Sequence, residues 1–186
     1  IVYIDNLGPL VIGHHDRFKF LEGKMEGHPL KFFIEPVVVF LNYLKLNNKY
    51  ENVSMVGFSG GGWSTLVSSA IDKNINYSFI VAAPKPLMFK NPYKYDCYEL
   101  SHKIFSTLVN YFDLYIMSSF GSKNALIEIV NINEKNNYSH YLYEKPINDS
   151  LNKIGEGLFE IQVNKNTFNH YLSHESLIFI HKRIQD

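Results

Sequence analysis

The chain has 186 residues, 46% hydrophobic and 19% charged, a balance that excludes an intrinsically disordered chain, while 11 glycines and 7 prolines exclude a fibrous one. One domain of this length buries roughly 70% of the surface its unfolded chain exposes, so a sizeable core is expected and a second independent domain is not. Lys and Arg number 18, as do Asp and Glu, so no net field draws the chain to phosphate backbones or anionic lipid, and nucleic acid is not expected as a partner.

The single cysteine, Cys97, cannot form an internal disulfide or assemble a thiolate metal site alone. The longest apolar stretch, residues 36–41, is broken at Asn42, far short of the ~20 residues that span a bilayer. The chain opens on Ile1-Val2-Tyr3-Ile4 with neither an initiator Met nor the regions of a signal peptide. It therefore reads as a fragment that starts inside a structural element, and its compartment is not legible.

Taken in order, residues 1–5 read as a strand, and a loop with Gly and His follows. Glu35-Pro36 opens a helix to about Leu46, with Pro in the first turn where its missing N–H costs nothing. Residues 53–58 form a short apolar run suited to a strand buried on both faces, and residues 60–71 a helix with Asp72 after it. Residues 77–83 are the next strand, ended by Pro84 and Pro86, which cannot continue a central ladder, so the sheet edge is expected there. The aromatic segment 93–120 reads as a cap-like helical insertion. Then come a strand at 125–130, a helix at 147–154 closed by Gly155 and Gly157, a strand at 158–163 and a helix at 172–184. This alternation predicts a single α/β domain over 1–186, with a mostly parallel sheet of five strands and helices on both faces.

Gly57-Phe58-Ser59-Gly60-Gly61 matches G-x-S-x-G, the pattern of a serine raised on a strained strand-to-helix bend. The serine's backbone is forced into a sparsely allowed region, and strand and helix approach so closely that small residues are expected at Gly57 and Gly61. A strand leads in through Val53-Ser54-Met55-Val56 and a helix leads out through Gly62-Trp63-Ser64-Thr65. The competing reading, a glycine turn that binds a dinucleotide phosphate, lacks the G-x-G-x-x-G spacing and a later ribose-binding acid.

Residues 53–65 resemble the nucleophile elbow of the α/β-hydrolase family, and the likeness extends over most of the chain. The resemblance implies the order Ser, acid, His. Glu134, after the strand at 125–130, matches the acid, and His170, after the strand at 158–163, matches the histidine. His170 is preferred to His174, which falls in the first turn of the last helix behind Ser173, a residue suited to capping. Asp113 and Asp149 are set aside as acids, the first lying in the aromatic segment and the second reading as a helix-start residue.

The chemistry expected is hydrolysis of a small-molecule carboxylic ester through an acyl-enzyme on Ser59, with no cofactor and no metal. His170 serves as general base, and the Gly60 N–H as an oxyanion donor. A peptidase or thioesterase on the same residues is the nearer alternative, and an inactive hydrolase-like binding module the more distant. The family's second oxyanion donor comes from a loop after an earlier strand; that loop is not found here, which leaves the C-terminal portion of a longer enzyme, a shortened member that borrows a donor from Asn6-Leu7-Gly8, or an inactive relative as the expectations. His14-His15-Asp16 do not make a metal site in the sequence, because no other close cluster completes one. His28, His102, His140 and His181 read as ordinary surface or core histidines, and Trp63 as core packing.

Overall fold

The structure is a computed structural model and describes residues 1–47, 50–84, 97–132, 142–167 and 169–185. It opens on an antiparallel hairpin, β1 (Val2–Ile4) and β2 (Gly8–Leu10). Asn6 (φ 73°) and Gly8 (φ 76°) take the left-handed conformation that reverses the chain, and the Leu7 N–H donates to the Ile4 carbonyl. The strand expected at 1–5 is therefore present but pairs with its own continuation, not with the parallel sheet. A 3₁₀ helix, His15–Leu21, leads to α1 (Lys31–Leu46).

Helix α1 begins four residues before the expected Glu35, which leaves Pro36 inside it. Pro36 removes the N–H that would bond the Phe32 carbonyl, but it lies on the exposed side, where water reaches the orphaned group. Then follow β3 (Val53–Phe58), α2 (Gly60–Ile71), β4 (Ile75–Val81), the short helices α3 (Tyr98–Ser101) and α4 (Ile104–Thr107), α5 (Tyr111–Ser119), β5 (Ala125–Asn131), α6 (Glu144–Ile154), β6 (Leu158–Asn164) and α7 (His174–Gln185). Asp149, expected at a helix start, is mid-way along α6 and pairs with Lys145 one turn earlier at 2.6 Å. Gly155, at φ 152°, ends that helix in a conformation open to glycine.

The fold is α/β, a four-stranded parallel sheet in the order β3-β4-β5-β6 flanked by helices. Each strand pairs with the next in sequence, so right-handed crossovers bring α2, α5 and α6 to one face. The core agrees: Trp63 and Leu66 of α2, Leu114 and Tyr115 of α5, and Ile147 and Leu151 of α6 pack on Ile80, Leu126 and Phe159. The alternate residues Phe79, Val81, Ile127 and Ile129 face Ile180 of α7 on the other side. Strand β4 lies between β3 and β5, so the edges of the sheet are β3 and β6, not the segment 77–83.

Within the aromatic segment, Tyr111, Leu114 and Tyr115 are buried against α2, and residues 93–96 lie outside the described residues. Asp113 caps α5, its carboxylate accepting from the Asn110 N–H at 2.9 Å while its own N–H donates to Asn110 Oδ1 at 3.1 Å. Among the described residues no helix is long and apolar enough to cross a membrane.

Candidate active site

The parallel strands align their carboxyl ends on one edge, where open α/β sheets gather their ligands. Ser59 follows β3, Ala82 and Ala83 follow β4, Asn131 ends β5, and His170 lies in the loop between β6 and α7. The sequence carries Ser59 and His170 111 residues apart, yet His170 Nε2 lies 2.7 Å from Ser59 Oγ. The hydroxyl donates in that contact when Nε2 is unprotonated. His170 is exposed and Ser59 half-buried, so solvent reaches the pair. The Phe58 ring supports the imidazole at a centroid distance of 4.8 Å.

Ser59 sits at φ 54° and ψ −121°, a region that costs a non-glycine residue about 1–3 kcal/mol and persists only where its surroundings enforce it. The surroundings here are visible. The Ser59 N–H donates to the Val81 carbonyl at 2.9 Å, and the Ser59 carbonyl accepts from Gly62 at 2.9 Å and Trp63 at 3.3 Å. A Cβ on Gly57 would meet the Gly61 carbonyl oxygen at 2.1 Å and Thr65 Oγ1 at 2.3 Å, so glycine is required where β3 passes under α2. The second steric requirement falls on Gly62, whose Cβ would meet that of Ala83 at 2.7 Å, and not on Gly61, whose Cβ would face open space. It is the backbone of Gly61 that approaches Gly57.

Gly60 is the first residue of α2. Its N–H is one of the four that a helix leaves unpaired, at the positive end of the helix dipole. The hairpin turn supplies no comparable donor at Leu7, whose N–H is already bonded to Ile4.

The His170 loop is held by two residues that fall just past the expected strands at 125–130 and 158–163. Asn131 and Asn164 are register partners at the ends of β5 and β6, and both are fully buried. The Asn131 amide donates to the carbonyls of Asn169 at 3.0 Å and Tyr171 at 3.1 Å, gripping the backbone on either side of His170. Asn164 in turn donates to Asn131 Oδ1 at 3.2 Å and to Ser176 Oγ on α7 at 2.7 Å. A polar residue closing two successive parallel strands was the available signal.

His174 is the first residue of α7 and is exposed; Ser173 Oγ accepts from the Ser176 N–H at 3.1 Å, the cap expected of it. Glu134, the expected acid, lies outside the described residues, as does His140. Trp63 is 1% exposed and its Nε1 donates to Tyr111 Oη at 3.1 Å. It also walls an apolar cavity of about 550 Å³ with Leu30, Ile34, Val67, Phe105 and Leu114. That cavity follows α2 through Val67 and Ile71, away from the serine.

Another polar group is buried deeper. Tyr143 Oη donates to Glu128 Oε2 at 2.8 Å beneath α6, and burial, with the neighbouring Glu128 charge, pushes the phenol well above its ordinary range. No family model matches the chain, and no curated protein matches it.

Proposed function

We propose that this chain is a serine hydrolase of the α/β-hydrolase kind, cleaving small-molecule carboxylic esters through an acyl-enzyme on Ser59. The observation that carries the reading is the 2.7 Å contact between His170 Nε2 and the hydroxyl of a serine held at a left-handed bend. A neutral hydroxyl is a poor nucleophile near pH 7, and an adjacent imidazole removes its proton as the bond to carbon forms.

In the first half-reaction Ser59 Oγ attacks the ester carbonyl while its proton passes to His170 Nε2. The carbonyl electrons collect on oxygen, toward which the Gly60 N–H donates. Collapse of the tetrahedral intermediate breaks the bond to the alcohol oxygen, which takes the proton back from His170. Water then repeats the sequence on the acyl-enzyme, His170 accepting its proton and returning it to Ser59, and the carboxylic acid departs. Glu134 is the residue we assign to the imidazole's other nitrogen, where it fixes the tautomer and steadies the imidazolium. Asn131 holds the loop that carries the base.

The test is turnover of a panel of nitrophenyl esters, acyl thioesters and peptides by the wild type, Ser59→Ala and His170→Ala. The reading expects ester hydrolysis that falls on the order of 10⁴-fold or more in either variant. Thioester or peptide cleavage alone moves the assignment to another acyl group on the same residues. Binding without turnover of any of the three leaves a hydrolase-like binding module and refutes the enzyme.

A further inference from the structure

We infer that His15, Cys97 and Glu99 form a binding site for a zinc-class divalent cation, separate from the serine site. His15 opens the 3₁₀ helix, Cys97 directly precedes α3 without its side chain capping it, and Glu99 lies within α3. The sequence separates His15 from Glu99 by 84 positions, which is why neither His14-His15-Asp16 nor the lone cysteine could be read as a metal site. The fold completes the set. The Nδ1 or Nε2 of His15, the Sγ of Cys97 and a carboxylate oxygen of Glu99 all lie within 4.8 Å of one another.

The second, independent observation is the state of Glu99. The residue is 1% exposed, and one carboxylate oxygen meets His15 Nδ1 at 2.7 Å. The other, Oε2, is buried and has no hydrogen-bond partner among the described residues. A buried carboxylate with an unmet oxygen is costly, and a bound cation is one of the few things that offsets the cost.

The dimensions fit. Bonds of about 2.0–2.3 Å in a tetrahedral site set ligand atoms roughly 3.3–3.8 Å apart, so the His15–Glu99 pair, at 2.7 Å, has to open by less than about 1 Å, and the Cys97 thiol already lies within 4.8 Å of both. The His15 side chain is half exposed, which gives it freedom to adjust and the ion a way in. A set of imidazole nitrogen, sulfur and one carboxylate selects zinc over magnesium or calcium, which prefer all-oxygen sites. Binding displaces the thiol proton of Cys97 and ties the 3₁₀ helix to α3.

A second trio, Glu22 and His102 just past the ends of the two helices and His28 in the loop before α1, also brings its ligand atoms within 4.8 Å of one another. Its Glu22 and His28 are exposed, however, so no buried charge there asks for a cation. It serves as the control.

The experiment uses the full chain, stripped with a chelator and titrated with Co²⁺, followed by displacement with Zn²⁺. The inference expects one Co²⁺ per chain, with the intense visible bands of four-coordinate cobalt and a sulfur-to-cobalt charge-transfer band. Cys97→Ser is expected to lose that band, and Cys97→Ser and Glu99→Gln each to weaken Zn²⁺ binding by roughly 10–100-fold or more, the range that even outer-shell partners command. The double variant His28→Ala/His102→Ala keeps the band and the affinity. Circular dichroism and melting of each metal-free variant confirm that it is folded, and Zn²⁺ is expected to raise the melting temperature of the wild type but not of Cys97→Ser. The inference is overturned by the absence of stoichiometric binding, by binding without a thiolate band, by Glu99→Gln binding as tightly as the wild type, or by affinity lost only in the double variant.

Discussion

Replacing Asn131 by Ala tests whether the amide grip on the His170 loop positions the base. The substitution removes the donors to the Asn169 and Tyr171 carbonyls, 3.0 and 3.1 Å away, and the acceptor of the Asn164 amide at 3.2 Å. Each lost hydrogen bond is worth about 1 kcal/mol net. The damage is limited at both ends: Asn169 and Tyr171 are exposed, so water replaces the donor, and Asn164 keeps Ser176 Oγ at 2.7 Å. The total is therefore about 2–3 kcal/mol, or a fall of about 4–12 °C in melting temperature for a domain of this size. The larger effect is kinetic. Without its tether the imidazole drifts from Ser59, and a displacement of about 1 Å costs on the order of 10²-fold in rate. The assay is the second-order rate of serine labelling by a fluorophosphonate alongside thermal melting, both at a temperature where the variant is folded. A variant that melts lower but labels at the wild-type rate would refute the positioning role and leave Asn131 a merely structural residue.

Gly57→Ala is expected to destabilise the fold by about 1–3 kcal/mol or more and to lose labelling, because its Cβ would sit 2.1 Å from the Gly61 carbonyl oxygen. Gly61→Ala, facing open space inside α2, is expected to melt no lower than the wild type, and denaturant titration of both variants separates them. Stability is also expected to fall with pH on the acid side. Burial, reinforced by neighbouring His28, holds the His102 imidazole below its ordinary value of 6.5. The unfolded chain therefore takes up the proton first as pH drops below 6.5, so this stability is present above that value and is lost on the way down to the folded-state pKa. Urea midpoints against pH check it: the slope is shallower in His102→Asn if the imidazole is its source, and unchanged if it is not.

The main elements were legible where local chemistry and tertiary packing agree. The apolar runs at β3, β4 and β5 and the glycine-flanked serine locate the strands and the bend to within a residue or two. Other features depend on contacts that no local pattern encodes. The first strand is an apolar run like the others, and only the left-handed Asn6 and Gly8 turn it back on itself. Pro36 looks like a helix start because a proline usually costs too much further in, and an exposed flank lowers that cost by letting water satisfy the orphaned carbonyl. Gly62 is indispensable on account of Ala83, which arrives from another strand. Asn131 and Asn164 are short polar residues at strand ends, and their importance lies in register and burial. A motif and the order along the chain point to Ser59 and His170, which the fold brings within 2.7 Å, whereas His15, Cys97 and Glu99 carry no spacing that links them.

The most direct measurement is the site of covalent capture. The protein is incubated with a fluorophosphonate, digested, and the modified peptide sequenced by mass spectrometry. The account predicts a single phosphonyl adduct on Ser59, absent from Ser59→Ala and slowed by orders of magnitude in His170→Ala. An unmodified Ser59 in the folded protein, or an adduct that forms equally fast without the imidazole, would contradict it.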